Sequence, residues 1–224
     1  MALTRQQVVR TAVALLDEVG LEGLTLRRLA TELGVQAPTL YWHVRDKREL
    51  LDLMAEAIVV DLAPHRPASP RHGQPWWEWL AEGSRTMYRA LLSHRDAALV
   101  VAGNRPTEDA WPRIEEMVGT LVTVGFPPAE AVRSILALGA YVGGCAVEQQ
   151  AARARPELAP ERQAAVDAAR AALQDPGRYP YLAAATAEFD AAGPDAEFEH
   201  GLELMLAGMR ARLALLVRAP AGSS

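Results

Sequence analysis

Residues 36–44 read QAPTLYWHV, and their side chains suit contact with a polyanion better than a protein interior. Thr39, Tyr41, Trp42 and His43 stand almost side by side, so a helix carrying them has polar groups on every face. Exposed on a short helix, they can enter a major groove. There the Tyr and Thr hydroxyls and the imidazole donate to phosphates, while Gln36 and Thr39 meet base edges or thymine methyls. Arg27 and Arg28 begin the preceding helix, where the helix terminus also favours an anion, and Lys47 offers a further phosphate contact. Taken singly, Tyr41 and Trp42 could equally be core residues of a small module, and Arg27, Arg28 and Lys47 ordinary solvated charges. The spacing, turn and residue types together are what favour a DNA-reading element.

Catalytic chemistry finds less support. Glu197 and His200 form one Glu-x-x-His, a spacing used in di-iron helical bundles, but such sites need two copies and further glutamates. No glycine-rich phosphate loop and no Ser/His/Asp set in a usable context is present, so an enzyme is not expected. His94, within SHRD, reads as an interdomain structural contact.

The elements that must position these groups are helical, and no convincing strand is found. From Thr4, a good N-cap, Val8, Val9, Ala12, Val13, Leu15, Leu16 and Val19 form an apolar stripe that ends at Gly20. Thr25 caps a second helix that Gly34 stops. Pro38 suits the first turn of a short third helix carrying Thr39 to His43. Two short helices joined by a tight, Gly-containing turn are the helix-turn-helix pattern. Asp46 then caps a fourth helix. After a Pro- and Gly-rich stretch, 64–75, helices are expected near 76–92, 95–102, 107–124, 128–153, 180–191 and 195–217, with segment 161–173 either helical or mobile.

The resulting division is a helix-turn-helix domain over 1–46, a connecting helix over 47–62, a ligand-binding and dimerisation domain over 63–218 and a disordered tail over 219–224. The class is all-α. With 224 residues the chain can bury a sizeable core in each part. One cysteine, Cys145, leaves the fold to apolar packing, and no uncharged apolar stretch has the roughly 18 to 20 residues of a bilayer span. A soluble cytoplasmic protein without membrane partner, metal or cofactor is expected. The net charge of −5 argues against nucleic acid, yet residues 1–50 hold seven positive charges against six negative. Local placement rather than total charge decides phosphate contacts.

On these residues the chain resembles a known family. LTLRRLATELGVQAPTLYWHVRDKRELLD, residues 24–52, is similar to the DNA-binding domain of the TetR family, and specifically of its tetracycline repressors. The similarity continues through ALLSHRD (90–96), NRPTE (104–108), the Gly144-Cys145 to Glu148 stretch and HGLELMLAGM (200–209). It implies a one-component repressor that binds a palindromic operator as a homodimer and is released by a small molecule, although activators and corepressor-dependent members also exist. By resemblance, Arg27, Pro38, Thr39, Tyr41, Trp42, His43 and Lys47 match operator-contacting positions. Gln36-Ala37 replaces the Glu-Gln usual before the proline, so the operator need not be that of the tetracycline repressors.

Dimerisation is expected through helices 128–153 and 195–217. Their candidate interface residues are Ile135, Val142, Leu202, Met205, Leu206, Met209 and Leu213, although packing within one subunit fits the same pattern. Candidates for an effector pocket are Trp79, Met87, Asn104, Arg105, Pro106, Ile114, Met117 and Leu138 among the middle helices. Val101 is a further candidate which, by the resemblance, matches the family's magnesium-binding histidine, and the resemblance also adds Gly83, at its drug-contacting asparagine. It also places Met87 at a drug-contacting phenylalanine, Met117 at a glutamine and Asn104 at a threonine; Arg105 and Pro106 are retained, and Glu148 matches a metal-linked glutamate. Valine offers no metal ligand, so a hydrophobic effector is expected in place of magnesium-tetracycline, with a true tetracycline response as the alternative.

Overall fold

The computed structural model describes residues 3–61, 69–103, 105–193 and 195–218, and all regular structure among them is helical. Helix α1 (Arg5–Gly23) starts in a capping box, in which the Thr4 hydroxyl accepts the Gln7 N–H at 3.2 Å and the Gln7 side chain accepts the Thr4 N–H at 2.9 Å. Gly20 breaks the helical dihedrals inside α1 at φ 69°, and one more turn follows it, so the expected end at Gly20 becomes a kink. Thr25 caps α2 (Leu26–Glu32) by accepting the Arg28 N–H, and Gly34, at φ 65°, makes the turn.

Helix α3 (Ala37–Leu40) is shorter than expected. Tyr41, Trp42 and His43 lie in the turn after it, where Trp42 N–H reaches the Thr39 carbonyl at 3.4 Å and His43 N–H the Leu40 carbonyl at 2.9 Å. Pro38 stands in its first turn, where the missing N–H costs nothing. Leu40 and Val44 are buried on either side of that turn, and this anchorage holds the intervening aromatic residues outward. Asp46 caps α4 (Lys47–Asp61), its carboxylate accepting the Glu49 N–H at 2.8 Å.

The small core of this module joins Val8, Ala12, Leu15, Leu16, Leu24, Leu29, Leu40, Leu50 and Met54, each 2% exposed or less. Burying one of its Val, Leu or Met side chains is worth about 1.5–3 kcal/mol before chain entropy is charged against it.

The larger domain comprises α5 (Trp76–Leu92), α6 (Ala97–Val101), α7 (Trp111–Thr123), α8 (Pro128–Arg153), α9 (Pro160–Ala172), α10 (Pro180–Ala191) and α11 (Ala196–Arg218), with a 3-10 turn at Glu108–Ala110 before α7. Helices α5, α6, α7 and α11 all pack on α8, and α4 packs on α1, α5 and α6, so α4 belongs to both modules. By length and composition α8 could cross a bilayer, but Ala131, Leu138, Val142 and Ala146 are buried in the helical core. Segment 161–173 proves helical, as α9, and none of its residues is buried. Residues 62–68, which include the first part of the expected 64–75 linker, and the tail 219–224 lie outside the described residues.

Candidate DNA-binding face and its junction with the helical domain

The reading element is exposed as its composition requires. Arg27, Arg28, Gln36, Ala37, Pro38 and Thr39 all lie on the surface, with Tyr41 56% and Trp42 87% exposed. A tryptophan left that open to water is costly unless a partner covers it, because monomeric proteins bury most of this ring. His43 is half-buried, and its carbonyl accepts the Arg5 guanidinium at 3.2 Å, which ties the reading turn to α1. Lys47 is half-buried and its ammonium donates to the Leu21 carbonyl at 3.1 Å, so here it is attached to the end of α1.

Two junctions connect this face to the larger domain. At the first, Asp17 of α1 reaches Nδ1 of His94 at 2.7 Å and accepts the Arg95 N–H at 2.8 Å. Asp96 adopts a left-handed conformation, φ 56°, and its carboxylate accepts the Leu21 N–H at 2.8 Å. A side chain on Gly20 would meet that carboxylate: its Cβ would lie 2.8 Å from Oδ2. His94 is thus an interdomain contact, as its setting in SHRD suggests.

At the second junction, α4 presents Arg48, Asp52 and Glu56 one turn apart to the loop between α6 and α7. Arg48 donates to Asp52 at 2.8 Å and to the Gly103 carbonyl at 2.5 Å. Asp52 accepts the Arg105 N–H at 3.4 Å, and the Thr107 hydroxyl donates to Glu56. Of the two junctions, only His94 at the first stands out in the sequence; its partner Asp17 and the whole of the second do not. Charges at i, i+4 and i+8 on a helix look like a solvated face until the fold shows what lies opposite.

The effector candidates fall on the helices that meet at α8. Trp79, Gly83 and Leu138 are buried, while Met87, Val101, Ile114 and Met117 are half-buried. Arg105 and Pro106 are exposed in the α6–α7 loop, and Asn104 lies outside the described residues. Glu148 is exposed, and no grouping of three or more His, Cys, Asp or Glu that could hold a metal occurs among the described residues.

Of the dimer candidates, Val142, Leu202, Leu206 and Met209 are buried inside the single chain, and Ile135, Met205 and Leu213 are half-buried against the same core. The outward faces of the same helices carry Val132 and Leu136 on α8 and Leu204 and Leu215 on α11, between 41% and 66% exposed.

Electrostatics also join α5 to α11. Arg85 and Glu199 form a bidentate pair, with Nη2–Oε2 at 2.7 Å, that holds the Glu199 carboxyl below its ordinary value. Tyr88 stacks on Phe198 with ring centroids 4.0 Å apart, and burial pushes both the Tyr88 and Tyr141 phenols up.

Comparison with known proteins agrees with this geometry. Residues 8–54 match the model described as bacterial regulatory proteins, tetR family, and residues 69–213 match the tetracyclin repressor-like C-terminal domain. The chain is 38% identical over 209 residues to the class C tetracycline repressor protein of Escherichia coli, covering 92% of this chain and 90% of that one. Among solved structures, ActR of Streptomyces coelicolor in complex with actinorhodin aligns with a TM-score of 0.78 at 28% identity, covering 95% of this chain and 98% of ActR. TetR of class A in complex with 5a,6-anhydrotetracycline and magnesium aligns with a TM-score of 0.67 at 31% identity, covering 93% and 98%.

Proposed function

Because the chain belongs to the TetR family and is a transcriptional repressor of that family, we propose that it binds an inverted-repeat operator as a homodimer and releases it when an apolar, metal-free small molecule binds. The observation that carries the DNA-binding half is the outward Tyr41-Trp42 turn, with Arg27, Arg28, Gln36 and Thr39 also exposed. Insertion into a major groove covers the rings and gives the arginines phosphate or guanine partners. Two copies are needed because a single module makes too few contacts for high specificity, and half-sites about 34 Å apart supply them.

The exposed stripe of Val132 and Leu136 on α8, facing outward beside Leu204 and Leu215 on α11, supports a dimer bundle built from these two helices. The small residues Gly143, Gly144, Ala207 and Gly208 on the same helices allow close approach. The seven candidates from the hydrophobic pattern then support the interface from behind rather than forming it.

The apolar effector rests on substitution at matching positions. By the resemblance, Val101 stands at the family's metal-binding histidine, and Gly83, Met87 and Met117 replace polar or aromatic drug contacts. Family members whose solved complexes hold actinorhodin and magnesium-anhydrotetracycline show that this architecture accommodates chemically different ligands. Effector binding then acts through the α6–α7 loop on α4, whose Arg48, Asp52 and Glu56 hold that loop. A hundredfold loss of operator affinity requires about 2.7 kcal/mol of differential binding, well within reach of one ligand per subunit. Calorimetric titration with magnesium-tetracycline is expected to show no binding at micromolar concentrations. A dissociation constant at or below micromolar would favour the tetracycline-responsive alternative.

A further inference from the structure

Gln150 lies on α8, far from the reading face in sequence, yet its side chain ties together the corner between α5 and α6. Nε2 donates to the Leu91 carbonyl at 2.8 Å and to the His94 carbonyl at 2.7 Å, while Oε1 accepts the Ala98 N–H at 3.3 Å. Leu91 belongs to the last turn of α5 and Ala98 to the first turn of α6, where main-chain groups lack partners within their own helices. A primary amide has two donors and an acceptor, and all three are used here.

The same corner grips the DNA-binding module. Residues 94–96 take Asp17 through His94 and Arg95, and supply Asp96 to the Leu21 N–H. A continuous set of hydrogen bonds thus runs from α8 through Gln150 and the 94–98 corner to α1. Gln150 is among neither the reading-face nor the effector candidates, and these side-chain hydrogen bonds all go to main-chain groups of the corner.

We propose that Gln150 is a positioning residue that fixes the angle of the DNA-binding module on the dimer helix, and thereby the half-site spacing the repressor accepts. The inference rests on the dimeric repressor reading. Removing the amide leaves each module folded but frees the corner, so two modules in a dimer no longer hold one separation. Glutamate at this position places a carboxylate against two carbonyl oxygens, whereas methionine keeps the volume and makes none of the bonds.

The test uses the full chain, its selected operator, that operator with one base pair added or removed at its centre, and a duplex with one half-site. Fluorescence anisotropy gives the affinities, and sedimentation gives the mass. Wild type is expected to discriminate against the altered spacings. Gln150→Met should keep the dimer mass and half-site affinity while losing about tenfold of that discrimination, the worth of one or two hydrogen bonds. Gln150→Glu should lose at least as much. Undiminished spacing discrimination in both variants overturns the inference, as does a parallel fall in half-site affinity, which would mark general destabilisation. If wild type binds no inverted repeat, the repressor reading fails first and the inference falls with it.

Discussion

Asp17 and His94 are joined at 2.7 Å across the boundary between α1 and the α5–α6 corner, so the DNA-binding module rests on the larger domain through a directed polar contact. Beside it, Gly20 supplies the close approach: its φ of 69° strains any side chain, and a Cβ there would lie 2.8 Å from the Asp96 carboxylate, which would have to move. Gly20→Ala is therefore expected to cost about 1–2 kcal/mol in urea denaturation from backbone strain alone, and to weaken operator binding because the Asp96–Leu21 bond must open. Unchanged stability would mean that the junction adapts without loss.

The α4 ladder predicts coupling in the opposite direction. Linkage is reciprocal, so operator binding must alter the loop that Arg48, Asp52 and Glu56 hold. Hydrogen exchange of residues 103–110 is expected to change when operator DNA is added to wild type. The change should shrink in Asp52→Asn and Glu56→Gln while exchange in α8 stays as it was. An operator-bound loop that exchanges identically in all three proteins contradicts this route.

On the reading face, Arg27→Ala and Tyr41→Ala are each expected to cost about 1–3 kcal/mol of operator affinity with the dimer intact. Both side chains are exposed, so thermal stability should barely move. A loss of the dimer instead would identify them as structural.

At the subunit surface the two kinds of leucine should behave differently. Leu136→Glu and Leu204→Glu place charge on exposed stripes, 66% and 61% open, and are expected to yield folded monomers in sedimentation. Leu206→Glu places charge where exposure is 7%, and is expected to unfold the domain. A dimer of unchanged mass from both exposed variants would refute the proposed interface.

Acid should release the α5–α11 clamp. The Arg85 guanidinium holds the Glu199 carboxyl below its ordinary 4.5, so the pair stabilises the fold fully above that value. The contribution is lost as pH falls through the lowered value in the native state. Both side chains are about 40% exposed, which limits the pair to roughly 0.5–1 kcal/mol. Glu199→Gln should be less stable than wild type at pH 7, with the difference vanishing in acid. A difference that persists at low pH would assign the effect to packing rather than charge.

Much of the fold was legible because helix signals are local. Thr4, Thr25, Asp46 and Gly34 cap or stop helices where their types demand it, and the boundaries of α5, α8 and α10 follow from apolar period and flanking prolines. The reading face was legible for the opposite reason: Tyr41, Trp42 and His43 violate any buried pattern. What stayed hidden depends on contacts between elements. Apolar spacing marks Leu202, Leu206 and Met209 as a stripe but cannot say whether a subunit's own α8 or a partner covers it. Likewise, Gln150, Asp17 and the α4 ladder look like surface polar residues until the corner and loop they hold are in place.

The most direct test of the account is selection of random duplex DNA by the purified full-length protein, followed by sequencing of what is retained. The expected result is enrichment of an inverted repeat whose half-sites lie roughly one helical turn apart, bound by a dimer. Enrichment of a single half-site without symmetry would contradict the homodimeric arrangement, and no enrichment above non-specific binding would contradict an operator-reading face that needs no corepressor.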